Sequence, residues 1–396
     1  MSSVNGKMAE LGNVRSAIRD LFEYGLRRKA EIGTDKVFDF SLGNPSVPAP
    51  DEVNETIRTL LDTEDSVSLH GYTSAVGAAD VRKKISGDIR ERFGCNVMPD
   101  DLYMTCGAAA SLTIVLKALY NPGDEYVAIA PFFPEYRVFS EAAGALFKVV
   151  PADTVSFQVD LKALEETITE RTKLLILNSP NNPSGVILKR DLLEKLTGLL
   201  RKIEERYGHP IYLVADEPYR ELVYDGIEVP YLPNLYDDSI VCYSFSKSLS
   251  LPGERIGYIA VPKTVRDHDD VFAAVAGAGR ALGYVCAPSL MQRVAANCLG
   301  KTADIGIYRK NRDLLYNGLT SFGYECVYPD GAFYLFVKSP EPDAKAFAER
   351  AKQYELLLVP SDSFGCTGYV RLAYCVSTEM IERSLPAFRK LIESYR

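Results

Sequence analysis

The sequence predicts an α/β fold in which helices cover both faces of a sheet, and three observations carry that reading. Short apolar runs of strand length alternate with amphipathic helical stretches between about residues 50 and 290. The helical stretches repeat their apolar residues with a period near 3.6, which gives each helix one stripe to bury. With 396 residues, 47% hydrophobic and 25% charged, the chain can bury a large core and is expected to form two domains.

Composition also narrows the function classes. A formal net charge of −8 disfavours a nucleic-acid-binding surface. Eight cysteines are scattered without C-x-x-C spacing and read as reduced, mostly buried thiols. Three histidines, none in a zinc-like pair, give little support to a metal site or a Ser-His-Asp triad. The N-terminus has no signal-peptide hydrophobic region and no apolar stretch is long enough to cross a bilayer, so a soluble, cytoplasmic protein is expected.

Taken in chain order, the first helical signal is the segment 14–31, with Val14, Ile18, Leu21, Phe22 and Leu26 on one face; it is expected to pack away from the sheet. In Thr105-Cys106-Gly107-Ala108-Ala109-Ala110-Ser111-Leu112, a glycine and small residues open an apolar helical run to Leu119. Free N–H groups at such a helix start bind phosphate well. The strand Leu174–Leu177 runs into Asn178-Ser179-Pro180-Asn181-Asn182-Pro183-Ser184-Gly185, whose Asn and Pro density makes a rigid turn able to present the Asn182 amide. Helix 189–207 carries Leu192, Leu193, Leu196, Leu199, Leu200 and Ile203 as one stripe, and Gly208-His209-Pro210 stops it. The strand Ile211–Ala215 ends in Asp216-Glu217-Pro218-Tyr219, and the strand Ile240–Tyr243 ends in Ser244-Phe245-Ser246-Lys247, with Arg255 eight residues further on. Gly277-Ala278-Gly279-Arg280-Ala281-Leu282-Gly283 imitates a dinucleotide-binding loop. Its third glycine is one residue late, and the residues before it read as helix rather than strand, so that function is set aside.

The chemistry concentrates where strands end. An amine on Lys247, flanked by the hydroxyls of Ser244 and Ser246 and by Arg255, suits a lysine that forms a Schiff base with a phosphorylated aldehyde. Pyridoxal phosphate is the candidate, its phosphate held by the hydroxyls and by the planar fork of the guanidinium. Asp216 can keep a pyridine nitrogen protonated, and Tyr219 can reach the ring hydroxyl.

These ordered motifs resemble the pyridoxal-phosphate-dependent aminotransferases of class I/II, with the aspartate aminotransferase (type I) fold, from about residue 39 to the C-terminus. The resemblance rests on Asn182-Pro183-Ser184-Gly185, on Asp216 through Tyr219, and on Ser244, Ser246 and Lys247 followed by Arg255. It implies a large cofactor-binding domain over 47–290, with a mostly parallel mixed sheet flanked by helices. It also implies a smaller α+β domain built from 1–46 and 291–396, with an N-terminal arm. By the same resemblance Lys247 carries the cofactor, Asp216 pairs with the ring nitrogen, and Asn182 and Tyr219 bind the ring oxygen. Ser244, Ser246, Arg255 and the backbone of Gly107, Ala108 and Ala109 hold the phosphate, and Phe133 stacks on the ring. Arg371 clamps the substrate carboxylate, Asn182 lies beside it, and the loop Gly43-Asn44-Pro45 closes over substrate. Tyr72, in Gly71-Tyr72-Thr73, is implied to reach the cofactor phosphate of a second subunit, so a homodimer with shared sites is expected.

The activity implied is ping-pong transfer of an amino group between an L-amino acid, of aspartate/alanine or aromatic type, and a 2-oxo acid such as 2-oxoglutarate. The alternative on the same fold is a C–S β-lyase or another pyridoxal-phosphate enzyme. A cofactor-binding regulator is disfavoured, because about 38 residues before the matched region are too few for a DNA-binding module and linker. Some bacterial aspartate-using relatives have a lysine where this chain has Ala109, so a distal carboxylate needs another cation. Arg280, among glycines that allow close backbone approach, is the candidate.

Overall fold

The computed structural model of the protein describes residues 3–13 and 16–396. Val14 therefore lies outside the described residues. Its helical segment starts at Ser16, whose side chain accepts from Arg19 N and caps the helix Ala17–Ile32. Leu21 of that helix packs with Val37, Leu357, Val359 and Phe364, away from the main sheet. Leu26 is instead exposed. The neighbouring Gly25 takes the inward position, where a Cβ would sit 2.8 Å from Leu357 Cδ1, so the missing side chain is what lets the helix approach.

After a short strand β1 (Phe38–Asp39), the main sheet is built from β2 (Leu102–Thr105), β3 (Glu125–Ile129), β4 (Leu146–Val150), β5 (Thr172–Asn178), β6 (Tyr212–Glu217), β7 (Ser239–Ser244) and β8 (Gly257–Ala260). Their order across the sheet is β2-β8-β7-β6-β5-β3-β4. Strand β8 runs antiparallel to both neighbours and the remaining pairings are parallel, which is the mostly parallel mixed sheet expected from the sequence. The apolar runs explain why both faces are buried. Leu175, Leu177, Leu213, Ala215 and Val241 enter one core, while the alternate residues Leu174, Ile176, Tyr212, Val214 and Ile240 enter the core on the other face.

The chain then forms β9 (Cys326–Val327), β10 (Tyr334–Lys338), β11 (Leu356–Leu357), β12 (Val359–Pro360) and β13 (Tyr369–Ala373). Four of these make a second, antiparallel sheet in the order β12-β13-β10-β9, and β11 pairs with β1 in parallel. Helices Ile305–Phe322 and Thr378–Glu393 contribute Tyr308, Leu315, Leu319, Ile381 and Phe388 to the core beside this sheet. The helix Ser289–Asn297, which the sequence reading assigns to the smaller portion from residue 291, packs elsewhere. Its Met291, Val294 and Ala295 lie in the core of the main sheet, because the helix sits against the helices Asp51–Thr63 and Ala79–Phe93.

The glycine-rich stretch at 277–283 ends the helix His268–Leu282. A Cβ on Gly279 would lie 2.2 Å from the Tyr103 hydroxyl, so this glycine serves packing against the main sheet. Among the described residues, no helix is long and apolar enough to cross a membrane. Among them, too, no cluster of three or more His, Cys, Asp or Glu is placed to hold a metal ion.

Candidate active site

The candidate site forms where β5, β6 and β7 end, because each apolar run stops at a polar residue that faces the crevice. Such carboxyl ends are where open α/β sheets place ligands. Beside them stands the start of the helix Ala108–Leu119. Its N-cap, Gly107, has φ of 88°, a conformation that favours glycine. Space demands glycine too: a Cβ there would be 2.9 Å from Arg255 Nη2. Gly257, opposite Ser244 in the ladder, brings the strands equally close, since a Cβ on it would be 2.3 Å from Tyr243 O.

Around this helix start the donors lack an anion. Arg255 is exposed, donates to Pro252 O at 2.9 Å, and has no carboxylate partner among the described residues. The Ser244 hydroxyl accepts from Ser246 N at 3.2 Å and lies 2.7 Å from the Ser246 hydroxyl, which fixes both side chains on the turn that carries Lys247. A guanidinium, two hydroxyls and the free N–H groups of a helix start form a cradle for a phosphate dianion.

Asp216 is buried at the end of β6. Tyr136 donates to its Oδ2 at 2.5 Å, while Oδ1 is buried with no hydrogen-bond partner. Burial pushes the carboxyl up to about 7, the Tyr136 bond opposes the shift, and the charge of Glu217 adds to it. A buried carboxylate with one empty oxygen fits a protonated ring nitrogen. Asn178 supports the next strand end, donating to Asp216 O at 2.8 Å and accepting from Asn182 N at 2.7 Å. The Tyr219 hydroxyl lies 2.8 Å from that of Tyr334.

Lys247 opens to the cleft but is otherwise surrounded by protein, and its Nζ donates to Gly43 O at 2.7 Å. Its pKa is lowered to about 8, first by burial, with the nearby charges of Arg255 and Arg371 acting in the same direction. Arg371, on β13, is buried between the rings of Tyr334 and Phe364, at 4.7 and 5.3 Å. It donates to Asn182 Oδ1 at 3.1 Å and to Ser41 O at 2.5 Å, while its Nε is buried without a partner. No carboxylate pairs with it among the described residues, and burial lowers its pKa. A desolvated guanidinium in this state can donate to a ligand carboxylate through both prongs of its fork.

The structure thus brings Lys247, Asp216, Asn182, Tyr219, Ser244, Ser246, Arg255, Arg371, Gly43 and the 107–109 backbone to one cleft. Phe133 is half-buried at its edge, T-shaped to Tyr136 at 5.8 Å. Two expected residues stand apart within this chain. Tyr72 is 99% exposed, and Arg280 is exposed in the last turn of the helix His268–Leu282. Neither has a side-chain hydrogen bond to the cleft residues among the described residues. Sequence reasoning assigned no role to Tyr136, Tyr334 or the Ser41 carbonyl. Tyr136 follows Phe133 by three residues, on the helix Glu135–Ala143. Tyr334 lies 115 residues from Tyr219 and has no local signal.

A family model described as aminotransferase class I and II matches residues 35–388. The chain belongs to the class I and II aminotransferases. This aminotransferase is 29% identical to a probable aspartate aminotransferase of Methanocaldococcus jannaschii, covering 96% of this chain and 97% of the relative. It is 30% identical to the aspartate/prephenate aminotransferase of Thermus thermophilus, covering 93% of each. Among solved structures, an amino transferase from Eubacterium rectale superposes with a TM-score of 0.98 at 55% identity, covering 100% of both chains. The aspartate aminotransferase of Thermus thermophilus with maleate superposes at 0.87 with 25% identity, covering 99% of this chain and 100% of that one.

Proposed function

We propose that this aminotransferase moves an amino group between an L-amino acid of aspartate/alanine or aromatic type and a 2-oxo acid such as 2-oxoglutarate, with pyridoxal 5′-phosphate on Lys247. The observation that carries this reading is the set of unfilled positions around one lysine. Asp216 Oδ1 and Arg371 Nε are both buried without partners, and Arg255 faces the start of the helix Ala108–Leu119 without an anion. A ring nitrogen, a carboxylate and a phosphate satisfy the three.

When bound, the cofactor supplies an electron sink and a carrier for the amino group. Asp216 keeps its ring nitrogen protonated, and Asn182 and Tyr219 hold its ring oxygen. Ser244, Ser246, Arg255 and the backbone of Gly107, Ala108 and Ala109 hold the phosphate, and Phe133 packs on the ring. Arg371 orients the substrate through its carboxylate. Lys247, displaced by the substrate amine and lowered to about 8, would take the proton from the substrate Cα and deliver it to the cofactor's C4′ carbon, acting as general base near neutral pH. The loop at Gly43 covers the site and excludes water.

We further assign Tyr72 to the site of a second copy in a cytoplasmic homodimer, which accounts for its near-complete exposure in one chain. The small portion, formed by the N-terminal segment and the C-terminal sheet, is the part that moves over substrate. The relatives' names, aspartate and aspartate/prephenate aminotransferase, support the substrate class.

The test is an assay of amino acids against 2-oxoglutarate and pyruvate with ammonia measured in parallel. Amino transfer without ammonia is expected. Ammonia release from cysteine conjugates with no amino transfer would replace this reading with a C–S β-lyase.

A further inference from the structure

Tyr334 opens β10 and reaches the cleft from the second sheet. It stands opposite Ala373 in the ladder, so Arg371, two residues back along β13, lies on the same face. That register is why the Arg371 guanidinium covers the Tyr334 ring at 4.7 Å. The ring is buried, and its hydroxyl lies 2.8 Å from that of Tyr219, itself buried just beyond β6. The Tyr334 hydroxyl also fills the space that a side chain at Gly43 would need.

The pair holds one proton more than it can use. Two hydroxyls carry two protons, and the single hydrogen bond between them consumes one. Neither hydroxyl has another hydrogen-bond partner among the described residues. The second proton therefore calls for an acceptor that the chain does not supply, and acidity decides which hydroxyl carries it. Burial raises both phenols, and the charge of Arg371 opposes the rise at each. Tyr334, whose ring lies against the guanidinium, is pushed up only to about 12. Tyr219 is pushed well above its ordinary value, by burial first, then by Tyr334, with the Asp216 carboxyl adding to the rise. Besides Arg371 and Asp216, the titratable group facing the pair is Cys375, just beyond β13. Of two neutral phenols the stronger acid is the better donor, so Tyr334 gives its proton to Tyr219, and the free proton is the one on Tyr219.

We propose that Tyr334 is a positioning residue for amino transfer: its hydroxyl donates to Tyr219 and so turns the Tyr219 O–H toward the cofactor's ring oxygen. The inference rests on the proposed function, in which Lys247 anchors the cofactor and Tyr219 meets that oxygen. Tyr334 does not itself touch the cofactor. It acts through Tyr219, and a chain of two hydrogen bonds polarises each member, so the outer donor is stronger than a lone phenol.

Tyr334→Phe removes one oxygen and keeps the ring. The measurement is the pH midpoint of the visible absorbance change of the protein loaded with pyridoxal phosphate, which follows the proton on the nitrogen that joins Lys247 to the cofactor. A donor at the ring oxygen stabilises its anionic form and loosens its hold on that proton, so weakening the donor raises the midpoint. Tyr219→Phe, which deletes the donor, is expected to raise it by about 1–2 units, the worth of one hydrogen bond to a charged oxygen. Tyr334→Phe is expected to raise it by about 0.3 unit, since neighbouring bonds in a chain strengthen each other by about 10–30%. In the Tyr219→Phe background it should add nothing, because the effect passes through Tyr219. A midpoint lowered by Tyr334→Phe means that Tyr219 donates to Tyr334 and overturns the proposal. An unchanged midpoint, an equal rise in both backgrounds, or a Tyr334→Phe chain that does not fold overturns it too. Borohydride reduction and peptide mapping separate this result from the proposed function. Cofactor on Lys247 with an unchanged midpoint removes only the role of Tyr334, whereas wild type with no cofactor on Lys247 removes both.

Discussion

Removing one hydroxyl tests how the fold tunes Asp216. Tyr136 donates to the buried carboxylate, whose pKa already rises from 3.8 to about 7 through burial. That rise, about three units, corresponds to about 4 kcal/mol by which the ionised carboxylate disfavours the cofactor-free fold. Between the two values the folded chain keeps a proton that the unfolded chain has released. Stability therefore falls as pH rises from about 4 to about 7 and is level above that window, the sign set by the excess protons on the folded state. Tyr136→Phe deletes a bond to the charged form, worth about 1.5–3 kcal/mol, and so moves the carboxyl up by about one to two further units. The variant is expected to lose about 1.5–3 kcal/mol relative to wild type at about pH 9 and much less at about pH 5, where Asp216 is protonated in both. Denaturant unfolding of the cofactor-free proteins across that range measures the difference. A loss that is the same at every pH would mean that Tyr136 only packs, and would refute the electrostatic argument.

Lys247→Ala is expected to abolish amino transfer, and in wild type the rate of pyridoxal phosphate capture should rise with pH to a half-point near 8; a half-point near the ordinary lysine value of about 10.5 would refute the burial effect. Mixing Tyr72→Phe subunits, defective as a homodimer, with Lys247→Ala subunits should restore activity, because one hybrid site joins an intact Lys247 to an intact Tyr72. No recovery after demonstrated subunit exchange counts against a shared site. Arg280→Ala should lower kcat/KM for dicarboxylic substrates by about thirtyfold, about 2 kcal/mol, and leave alanine or phenylalanine nearly unchanged. Equal losses on both classes would remove Arg280 from the substrate pocket.

What could be read from the sequence was local. The apolar runs at 174–177, 211–215 and 240–243 located three central strands, yet β5, β6 and β7 extend further, to Asn178, Glu217 and Ser244. The polar end residues keep their ladder partners, Asn178 opposite Asp216 and Ser244 opposite Gly257, and an apolar pattern cannot register them. Helix 189–207 was legible almost to the residue, because a stripe and a stop signal agreed. Leu26 misled because the stripe rule rewards a leucine, whereas the helix meets β11 through Gly25, where the absence of a side chain is what matters. In the site, motif residues were found and their partners were not. Arg371 touches Asn182 across 189 residues and Ser41 across 330, and contacts of that range leave no trace in spacing.

The backbone of residues 41–43 has a consequence for what the site admits. Ser41 O and Gly43 O already accept hydrogen bonds from Arg371 and Lys247, so an arriving ligand finds these donors occupied. Being part of the same chain, the two carbonyls compete at a high effective concentration, as any tethered group does. A ligand that offers one neutral oxygen exchanges like for like and gains nothing. A carboxylate offers a full charge and a second oxygen to the same fork, and displaces the incumbent. Discrimination against neutral amines and alcohols would thereby rest on main-chain atoms, and Gly43 has to stay a glycine for it, since a Cβ there would collide with the Tyr334 hydroxyl and push the loop aside.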